Sequence, residues 1–465
     1  MYIEQFFTDC LGQSAYYIES NGEVAIIDPL RDVEGYIQLS EKRSATIKYV
    51  FETHFHADFV SGHLDLSAKT GDPVIYGPGA IANYPICVAE DGQEFELGDV
   101  CLKVLHTPGH TLESCCYLLL DENKNPHSVF SGDILFVGDV GCPDLAFENG
   151  HTAAQLAEML FDSLESKLKP LPNYVIVYPG HGTGSTCGKS IGPEPHSTIG
   201  IQKQTNYMLK LQNKADFIKL VSENISDPPA YFFRGALFNR KGYLSLNKVI
   251  ENSVLPLSVV EMKKLLLKEN VLVIDTRSNS KFEKGFIPGS LNIGLDGFFE
   301  IMAGSVIDPN SKLIVVAEIG LETETITRLA RIGNENVCGF LTGGFDEWIR
   351  TETDFDLVMC ISATEFEDQF RYHAAVVIDV RNQNEWIPGF VAGAKLISLQ
   401  HLEKSSETID RDKIVYVYCS NGYRSMIAVS LLKSLGFQNV LNIYGGMESL
   451  RKTRISVKQL TTTTN

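Results

Sequence analysis

Six histidine and aspartate side chains between residues 54 and 181 have the types and the spacing that a metal site needs. They are His54, His56, Asp58, His110, Asp133 and His181. His54 and His56 stand two positions apart, so an extended chain projects them to one side, where a single cation can contact both. Clustered imidazoles and carboxylates cost desolvation energy unless a cation balances them. The pattern predicts a metal centre, and the ligand types alone suit zinc as well as iron.

A cysteine near the carboxyl end is the second side chain that could do chemistry. KIVYVYCSNGYRSMIAVSLLKSLG reads as a buried strand, a tight loop and a helix, with Cys419 at the end of the strand. The N–H groups of the loop, the start of the helix and Arg424 would stabilise a thiolate here, which lowers its pKa and makes it a nucleophile. Cys419 and Arg424 are therefore predicted to form a second catalytic site.

Short β-rich runs separated by polar turns place the metal-type residues. They are EVAIID, IKYVFET, PVIYG, VCLKVLHT, HSVFSGD and YVIVYPGH. Nearly every run ends in His, Asp or Thr, so the ligands are predicted to lie on loops that strands anchor. From 201 to about 255 the apolar spacing is helical and a Pro pair interrupts it, which we interpret as a bridge to the following part.

Beyond this bridge the chain repeats itself at a lag of about 104 residues. VLVIDTRSNSKFEKGFIPGSLNIGL, from Val271, matches AVVIDVRNQNEWIPGFVAGAKLISL, from Ala375. Each copy has a strand of buried type, then helical sequence, then another strand. This order predicts two successive α/β domains with parallel sheets.

Composition limits the classes of function. The 465 residues are 44% hydrophobic and 21% charged, and no apolar run is long enough for a membrane span. The first residues do not have the pattern of a secretory signal. A soluble, cytoplasmic protein is therefore expected. The ten cysteines form no CxxC pair, which disfavours a disulfide framework. A net charge of −18 disfavours nucleic acid and anionic membranes as partners, so a small-molecule substrate is expected.

The first segment resembles the metallo-β-lactamase fold, an αββα sandwich whose signature is HxHxDH with later His, Asp and His. The resemblance covers residues 1–250 with the helical bridge. Phe59 departs from the signature, because it stands where hydrolases of this fold have the last His, a ligand of their second metal. Asp58, His181 and a shared Asp133 remain as candidate ligands of a second ion, but one metal is the simpler interpretation.

Within the fold, the segment is similar to the persulfide dioxygenases, which hold one Fe(II). The resemblance implies that His54, His110 and Asp133 bind a single iron per chain, with zinc as the alternative. Two His and one carboxylate leave three positions open, which suits a persulfide and O₂ side by side. The other ligand-type groups, which would orient ligands or substrate or hold a second metal, are His56, Asp58 and His181. Cys187, six residues after His181, is a candidate sulfur-handling thiol.

Residues 360–455 resemble the rhodanese sulfurtransferases, whose active loop is CxxGxRS. The first copy, residues 256–352, has Glu318 at the position of Cys419 and Thr323 at the position of Arg424. A carboxylate cannot carry transferable sulfur, so this copy is expected to be an inactive rhodanese-like domain with a role in packing, spacing or oligomerisation.

The whole chain resembles bacterial fusions of a persulfide dioxygenase with rhodanese domains. The resemblance implies oxidation of a persulfide of glutathione, coenzyme A, bacillithiol or a similar thiol to sulfite, coupled to sulfur transfer that gives thiosulfate in sulfide detoxification. A homo-oligomer is expected. Two alternatives remain open: a dinuclear zinc thioester hydrolase of the glyoxalase II type, and a non-catalytic sulfur carrier.

Overall fold

The β-rich runs of the first 200 residues form two six-stranded sheets in the computed structural model of the chain. The structure describes residues 1–143, 150–185, 187–223, 228–229, 231–268, 270–370 and 375–460. The first sheet has the order β1-β2-β3-β4-β5-β6, and the strands are β1 Tyr2–Thr8, β2 Gln13–Ser20, β3 Glu23–Ile27, β4 Thr46–Phe51, β5 Val74–Tyr76 and β6 Cys87–Val88. The second has the order β12-β11-β10-β9-β8-β7, with β7 Glu94–Leu97, β8 Val100–His106, β9 Cys115–Leu120, β10 Pro126–Gly132, β11 Ile176–Pro179 and β12 Ser197–Thr198.

The inner faces of the two sheets share one hydrophobic core, which includes Tyr16, Ile27, Phe51, Val104, Tyr117 and Phe130. Helices cover both outer faces. They are α1 Glu34–Arg43, α2 His63–Thr70, α3 Ala153–Ser163, α4 Ile199–Thr205 and α5 Lys214–Ser222. Two further helices follow in the chain, α6 Tyr231–Lys241 and α7 Leu246–Ser253. This layering confirms the predicted αββα sandwich, and each of the six quoted β-rich runs overlaps a strand.

The two repeats form five-stranded sheets in which every pairing is parallel, as the sequence predicts. The first has the order β13-β17-β16-β14-β15, with β13 Pro256–Leu257, β14 Val271–Asp275, β15 Leu291–Asn292, β16 Lys312–Val316 and β17 Val337–Leu341. Its helices are α8 Val259–Leu266, α9 Asn279–Phe282, α10 Phe299–Val306, α11 Glu322–Arg331 and α12 Gly344–Thr351.

The second repeat has the equivalent strand order, β18-β23-β22-β19-β21, and β20 pairs separately with β24. The strands are β18 Met359–Ile361, β19 Val376–Asp379, β20 Phe390–Val391, β21 Lys395–Leu396, β22 Val415–Tyr418, β23 Val440–Ile443 and β24 Val457–Lys458. The helices are α13 Ala363–Phe370, α14 Gln383–Trp386, α15 Leu402–Ser405, α16 Tyr423–Ser434 and α17 Gly446–Leu450.

The chain divides into two units, one of Met1–Leu246 with Ala330–Gly333 and the other of Asn247–Leu329 with Asn334–Asn465. Both repeats therefore belong to the second unit, except for Ala330–Gly333 of the first repeat. Among the helices of the described residues, none combines the length and the apolar character needed to cross a membrane.

Candidate metal centre and cysteine loop

Loops at the carboxyl ends of β4, β8 and β10 bring His54, His110 and Asp133 together. Their ligand atoms lie within 4.8 Å of one another, and all three side chains are buried. His54 Nε2 is 3.9 Å and His110 Nε2 is 3.6 Å from Asp133 Oδ2. That carboxylate oxygen is buried without a hydrogen-bond partner, which is costly unless a cation satisfies it.

Neighbouring groups set the orientation of both imidazoles. His110 Nδ1 donates to the carbonyl oxygen of Cys142 at 2.8 Å, so its Nε2 keeps a lone pair. The Thr53 hydroxyl donates to Asp28 at 2.8 Å and therefore accepts from His54 Nδ1 at 2.9 Å, which leaves His54 Nε2 unprotonated as well. Two imidazole lone pairs and one unpartnered carboxylate oxygen fit a divalent transition metal.

The pKa shifts of His54 and Asp133 favour the forms of these two side chains that bind a metal. Burial and the neighbouring His56 hold the pKa of His54 well below its usual range, so its imidazole is neutral. Burial raises the pKa of the Asp133 carboxyl, but the charge and the hydrogen bond of His181 outweigh it and hold that pKa far below its usual value. A neutral imidazole and an ionised carboxylate are the species that bind a metal.

His181 links Asp133 to Asp58. Its Nδ1 is 2.7 Å from Asp133 Oδ1 and its Nε2 is 2.8 Å from Asp58 Oδ2. Burial lowers the pKa of His181, but Asp133, Cys187 and Asp58 raise it well above its usual range. Asp58, His181 and Cys187 also have ligand-type atoms within 4.8 Å of one another, which makes them a second candidate metal group. Burial raises the pKa of the Cys187 thiol well above its usual range, which disfavours a reactive thiolate.

His56 belongs to a third buried group. Its Nε2 lies 3.1 Å from Asp28 Oδ1 and 3.4 Å from Glu52 Oε2. Burial lowers the pKa of His56, but Asp28 and Glu52 outweigh it and raise the pKa to about 9. The Phe59 ring is fully buried, with its centroid 4.4 Å from that of His56. The residue that departs from the HxHxDH signature is thus an apolar wall beside His56.

Cys419 lies at the end of β22, where the chain turns into α16. Its side chain is buried, and the Gly422 N–H donates to Sγ at 3.1 Å. Gly422 has φ 111°, a conformation that a residue with a Cβ rarely adopts. A Cβ at Gly446 would lie 2.3 Å from the Cys419 carbonyl oxygen, so only glycine allows this close packing under the loop. The arrangement directs a backbone N–H at the sulfur, as a thiolate or a persulfide requires.

Arg424 donates two hydrogen bonds to Glu385, at 2.6 and 2.7 Å, and a third to Ser420 Oγ at 3.0 Å. Arg424, which is predicted to stabilise the thiolate, therefore anchors the loop by its bonds to Glu385 and Ser420. The sequence alone did not single out Glu385. In the first repeat, Glu318 Oε1 lies 2.7 Å from Lys281 Nζ, and Thr323 is exposed.

Comparison with known proteins shows the family. Residues 8–181 match the profile of the metallo-beta-lactamase superfamily. A hydroxyacylglutathione hydrolase of Methylococcus capsulatus is 35% identical over 214 residues, which cover 45% of this chain and 77% of that protein. A crystal structure of a metallo-beta-lactamase from Staphylococcus aureus is 32% identical with a TM-score of 0.65, covering 73% of this chain and 98% of that one. The chain belongs to the metallo-beta-lactamase superfamily.

This superfamily member carries rhodanese-like domains, which match over residues 258–351 and 362–453. A crystal structure of ETHE1 from Myxococcus xanthus is 29% identical with a TM-score of 0.44, and it covers 52% of this chain and 98% of that chain. The chain spans 58 to 66% of the length of three proteins named hydroxyacylglutathione hydrolase or probable hydroxyacylglutathione hydrolase, from Arabidopsis thaliana and Schizosaccharomyces pombe.

The metallo-beta-lactamase domain also uses residues that the sequence analysis did not single out. Asn239 on α6 donates to the carbonyl oxygens of His56 and Phe59, at 2.8 and 2.7 Å, and accepts from the Ser61 N–H at 2.9 Å. The segment interpreted as a bridge thus holds the backbone of the HxHxD loop. Phe232, Gly235 and Asn239 follow one another at intervals of three and four residues, which places them on one face of a helix. Phe232 is buried, so this spacing is the sequence signal that could have identified Asn239 as a buried residue.

Two glycines beside Asp133 were missed as well. A Cβ at Gly180 would lie 2.6 Å from Asp133 Oδ1, and one at Gly141 would lie 1.8 Å from the Asp133 carbonyl oxygen. Each position needs glycine for a close approach to the carboxylate residue rather than for a positive φ.

Proposed function

We propose that the chain is an iron-dependent persulfide dioxygenase with sulfurtransferase activity. The metallo-beta-lactamase domain would oxidise the persulfide of a small thiol, such as glutathione, coenzyme A or bacillithiol, and Cys419 would transfer sulfane sulfur. The first reaction converts RSSH, O₂ and H₂O into RSH and H₂SO₃. The combined chemistry clears sulfide products as thiosulfate, in a cytoplasmic homo-oligomer.

The observation that carries the proposal is the separation of the ligand-type residues into groups. His54, His110 and Asp133 form one buried triad with an unpartnered oxygen, whereas His56 faces Asp28 and Glu52. Two His and one carboxylate are the ligand set of mononuclear iron oxygenases. An iron held there would supply the redox chemistry with O₂.

The chain's own residues would fix and shield this centre. The Cys142 carbonyl and the Thr53 hydroxyl orient the two imidazoles, and His181 positions Asp133 by its 2.7 Å hydrogen bond. The buried Phe59 ring excludes water on the side of His56. A rigid, dry surrounding limits side reactions of the substrate.

The proposed step at Cys419 balances without a further reagent. The Cys419 thiolate attacks the outer sulfur of RSSH, the S–S bond breaks, and RSH leaves. Sulfite then attacks the outer sulfur of the Cys419 persulfide, the second S–S bond breaks, and its electron pair returns to Cys419 as thiosulfate forms. The Gly422 N–H, 3.1 Å from Sγ, supports the anionic sulfur in both steps.

Two observations favour the second candidate, a dinuclear zinc thioester hydrolase. Relatives of the metal domain are named hydroxyacylglutathione hydrolase. Asp58, His181 and Cys187 form a candidate second metal group, and His181 is hydrogen-bonded to Asp133. The hydrolase gives no role to Cys419, and its HxHxDH signature is broken by Phe59.

Metal content and oxygen uptake distinguish the two candidates. Protein purified without oxygen should hold about one iron per chain and consume O₂ with glutathione persulfide. His110→Ala should lower the rate of O₂ uptake at least about a hundredfold, because it removes a metal ligand. His127→Ala is the matched control, since this half-buried histidine contacts only Ser128 among the bonds described.

Two zinc ions per chain, with hydrolysis of an acyl-glutathione thioester and no O₂ uptake, would overturn the proposal. Sulfur binding without turnover in either assay would instead indicate a carrier protein.

A further inference from the structure

The first rhodanese-like repeat contacts the outer side of the Cys419 loop. Asn279 Nδ2 donates to the Gly422 carbonyl oxygen at 3.2 Å. The hydroxyl of Tyr423, the next residue, donates to the Gly294 carbonyl oxygen at 2.6 Å. Two consecutive residues of the loop are therefore held by the repeat that has Glu318 at the position of Cys419.

Gly297 shows how closely the two surfaces fit. A Cβ added there would lie 2.4 Å from Tyr423 Cζ and 2.5 Å from its Cε2, which no side chain tolerates without displacing the ring. Gly297 is not among the glycines with positive φ. Its lack of a side chain is thus explained by the Tyr423 ring rather than by its backbone conformation.

These contacts bear directly on the sulfur environment. Gly422, whose carbonyl Asn279 holds, is the residue whose N–H donates to Cys419 Sγ at 3.1 Å. Tyr423, whose ring Gly297 admits, is the first residue of α16. The donor aimed at the sulfur and the start of the helix behind it are both fixed from the first repeat.

We infer that the first repeat is a positioning element of the Cys419 site, acting through Asn279, Gly294 and Gly297. The inference deepens the proposed sulfur transfer, on which its biological meaning rests. The repeat has no thiol at position 318, yet it supplies the surface on which the loop of the second repeat takes its shape. Without that surface, Gly422 and Tyr423 lose two hydrogen bonds and a tight ring contact.

The test measures the alkylation rate of Cys419 by iodoacetamide across pH 5 to 10, read from the peptide that contains Cys419. Gly297→Ala should reduce the rate near neutral pH about tenfold and raise the apparent thiol pKa, because the loop N–H no longer points at the thiolate. Gly289→Ala controls for general destabilisation of the same repeat, because φ 83° strains any side chain there while no atom lies within 4 Å of the added Cβ.

Coupling separates positioning from general destabilisation. Tyr423→Ala should lower the rate by itself, and Gly297→Ala should have little further effect in the Tyr423→Ala background, because the ring that it displaces is gone. Asn279→Ala, which adds no bulk, should lower the rate about threefold by releasing Gly422.

Equal rates in the Gly297→Ala and Gly289→Ala variants would overturn the inference, and so would additive effects of Gly297→Ala and Tyr423→Ala. If Gly297→Ala does not fold, an unchanged rate in Asn279→Ala overturns it instead. Alkylation needs no sulfur substrate, so a wild-type chain without sulfur transfer would refute the proposed function and leave this test intact.

Discussion

The two rhodanese-like repeats have the same internal bracing. Arg277 Nε donates to Asp275 Oδ1 at 2.9 Å, and Arg381 Nε donates to Asp379 Oδ1 at the same distance. Arg277 Nη2 donates to the Gly285 carbonyl oxygen at 2.8 Å, and Arg381 Nη2 donates to the equivalent carbonyl oxygen, of Gly389, at 2.7 Å. The scaffold around the loop has therefore stayed constant between the repeats.

The loops themselves differ in every group that carries charge. The second repeat pairs Glu385 with Arg424 beside Cys419, whereas the first pairs Lys281, at the position equivalent to Glu385, with Glu318. The arginine bonds join residues that are only two to eight positions apart, so each copy of the segment forms them by itself. The proposed sulfur transfer depends on a few loop positions, so few substitutions would abolish it while the fold remains.

The largest difference expected between the repeats is in sulfur transfer. Cys419→Ser should lower the rate of thiosulfate formation at least about a thousandfold, because the attacking atom is gone. Glu318→Ala should leave the rate within about twofold. Thiosulfate formation from sulfite and glutathione persulfide measures both, and equal losses would contradict the assignment of one active loop.

The bracing should be equally important in both repeats. Arg277→Ala and Arg381→Ala should each cost about 3 kcal/mol, since each leaves a buried carboxylate unpaired, and the two costs should agree within about 1 kcal/mol. Trp348 and Trp386, the chain's two tryptophans, lie in different repeats.

Urea unfolding followed by fluorescence of one tryptophan, with the other changed to Phe, reports each repeat separately. If one of the two substitutions lowers the free energy of unfolding by more than about 1 kcal/mol and the other does not lower it, equal hydrogen-bond distances in the two repeats do not imply equal stabilisation.

The loop ion pairs should differ in strength. Glu385→Gln should cost about 1 to 3 kcal/mol, because it breaks a bidentate pair whose side chains are only 19% and 33% exposed. Glu318→Gln should cost less than about 0.5 kcal/mol, because the Lys281 and Glu318 side chains are 57% and 37% exposed. The same fluorescence assay applies, and equal costs would refute the ranking.

The smallest effect concerns pH. Burial raises the pKa of Glu385, but Arg424 outweighs it and lowers the pKa from 4.5 to about 2. The ionised Glu385 therefore stabilises the folded state fully above pH 4.5, and this contribution fades as pH falls from 4.5 to about 2. The difference in unfolding free energy between wild type and Glu385→Gln should shrink across that interval, and a constant difference would contradict the shift.

Most of the architecture could be predicted from local patterns. Alternating apolar runs located the strands that end one to three residues before His54, Asp133 and His181, and the lag of the repeat indicated two α/β domains. Residue types then indicated which loops carry ligands. The strands and the ligand loops could be predicted because strand periodicity and ligand type depend on a few consecutive residues.

Contacts between distant segments were not accessible in this way. The hydrogen bonds of Asn239 join it to residues about 180 positions away, and those of Tyr423 and Asn279 span 129 and 143 positions. The orientation of His56 toward Asp28 depends on how β3 and β4 pair. Such details depend on packing, which a pattern of types and spacings does not encode.

The close approach of Gly297 to the Tyr423 ring has a consequence for how this pair of domains can diverge. A duplicated copy that loses its nucleophile is ordinarily free to drift throughout. Here we expect positions 318 to 323 to vary freely, whereas the turn that receives the Tyr423 ring should stay constrained by that contact. Across natural variants, position 297 should accept a larger residue only where position 423 has exchanged its aromatic ring for a smaller side chain.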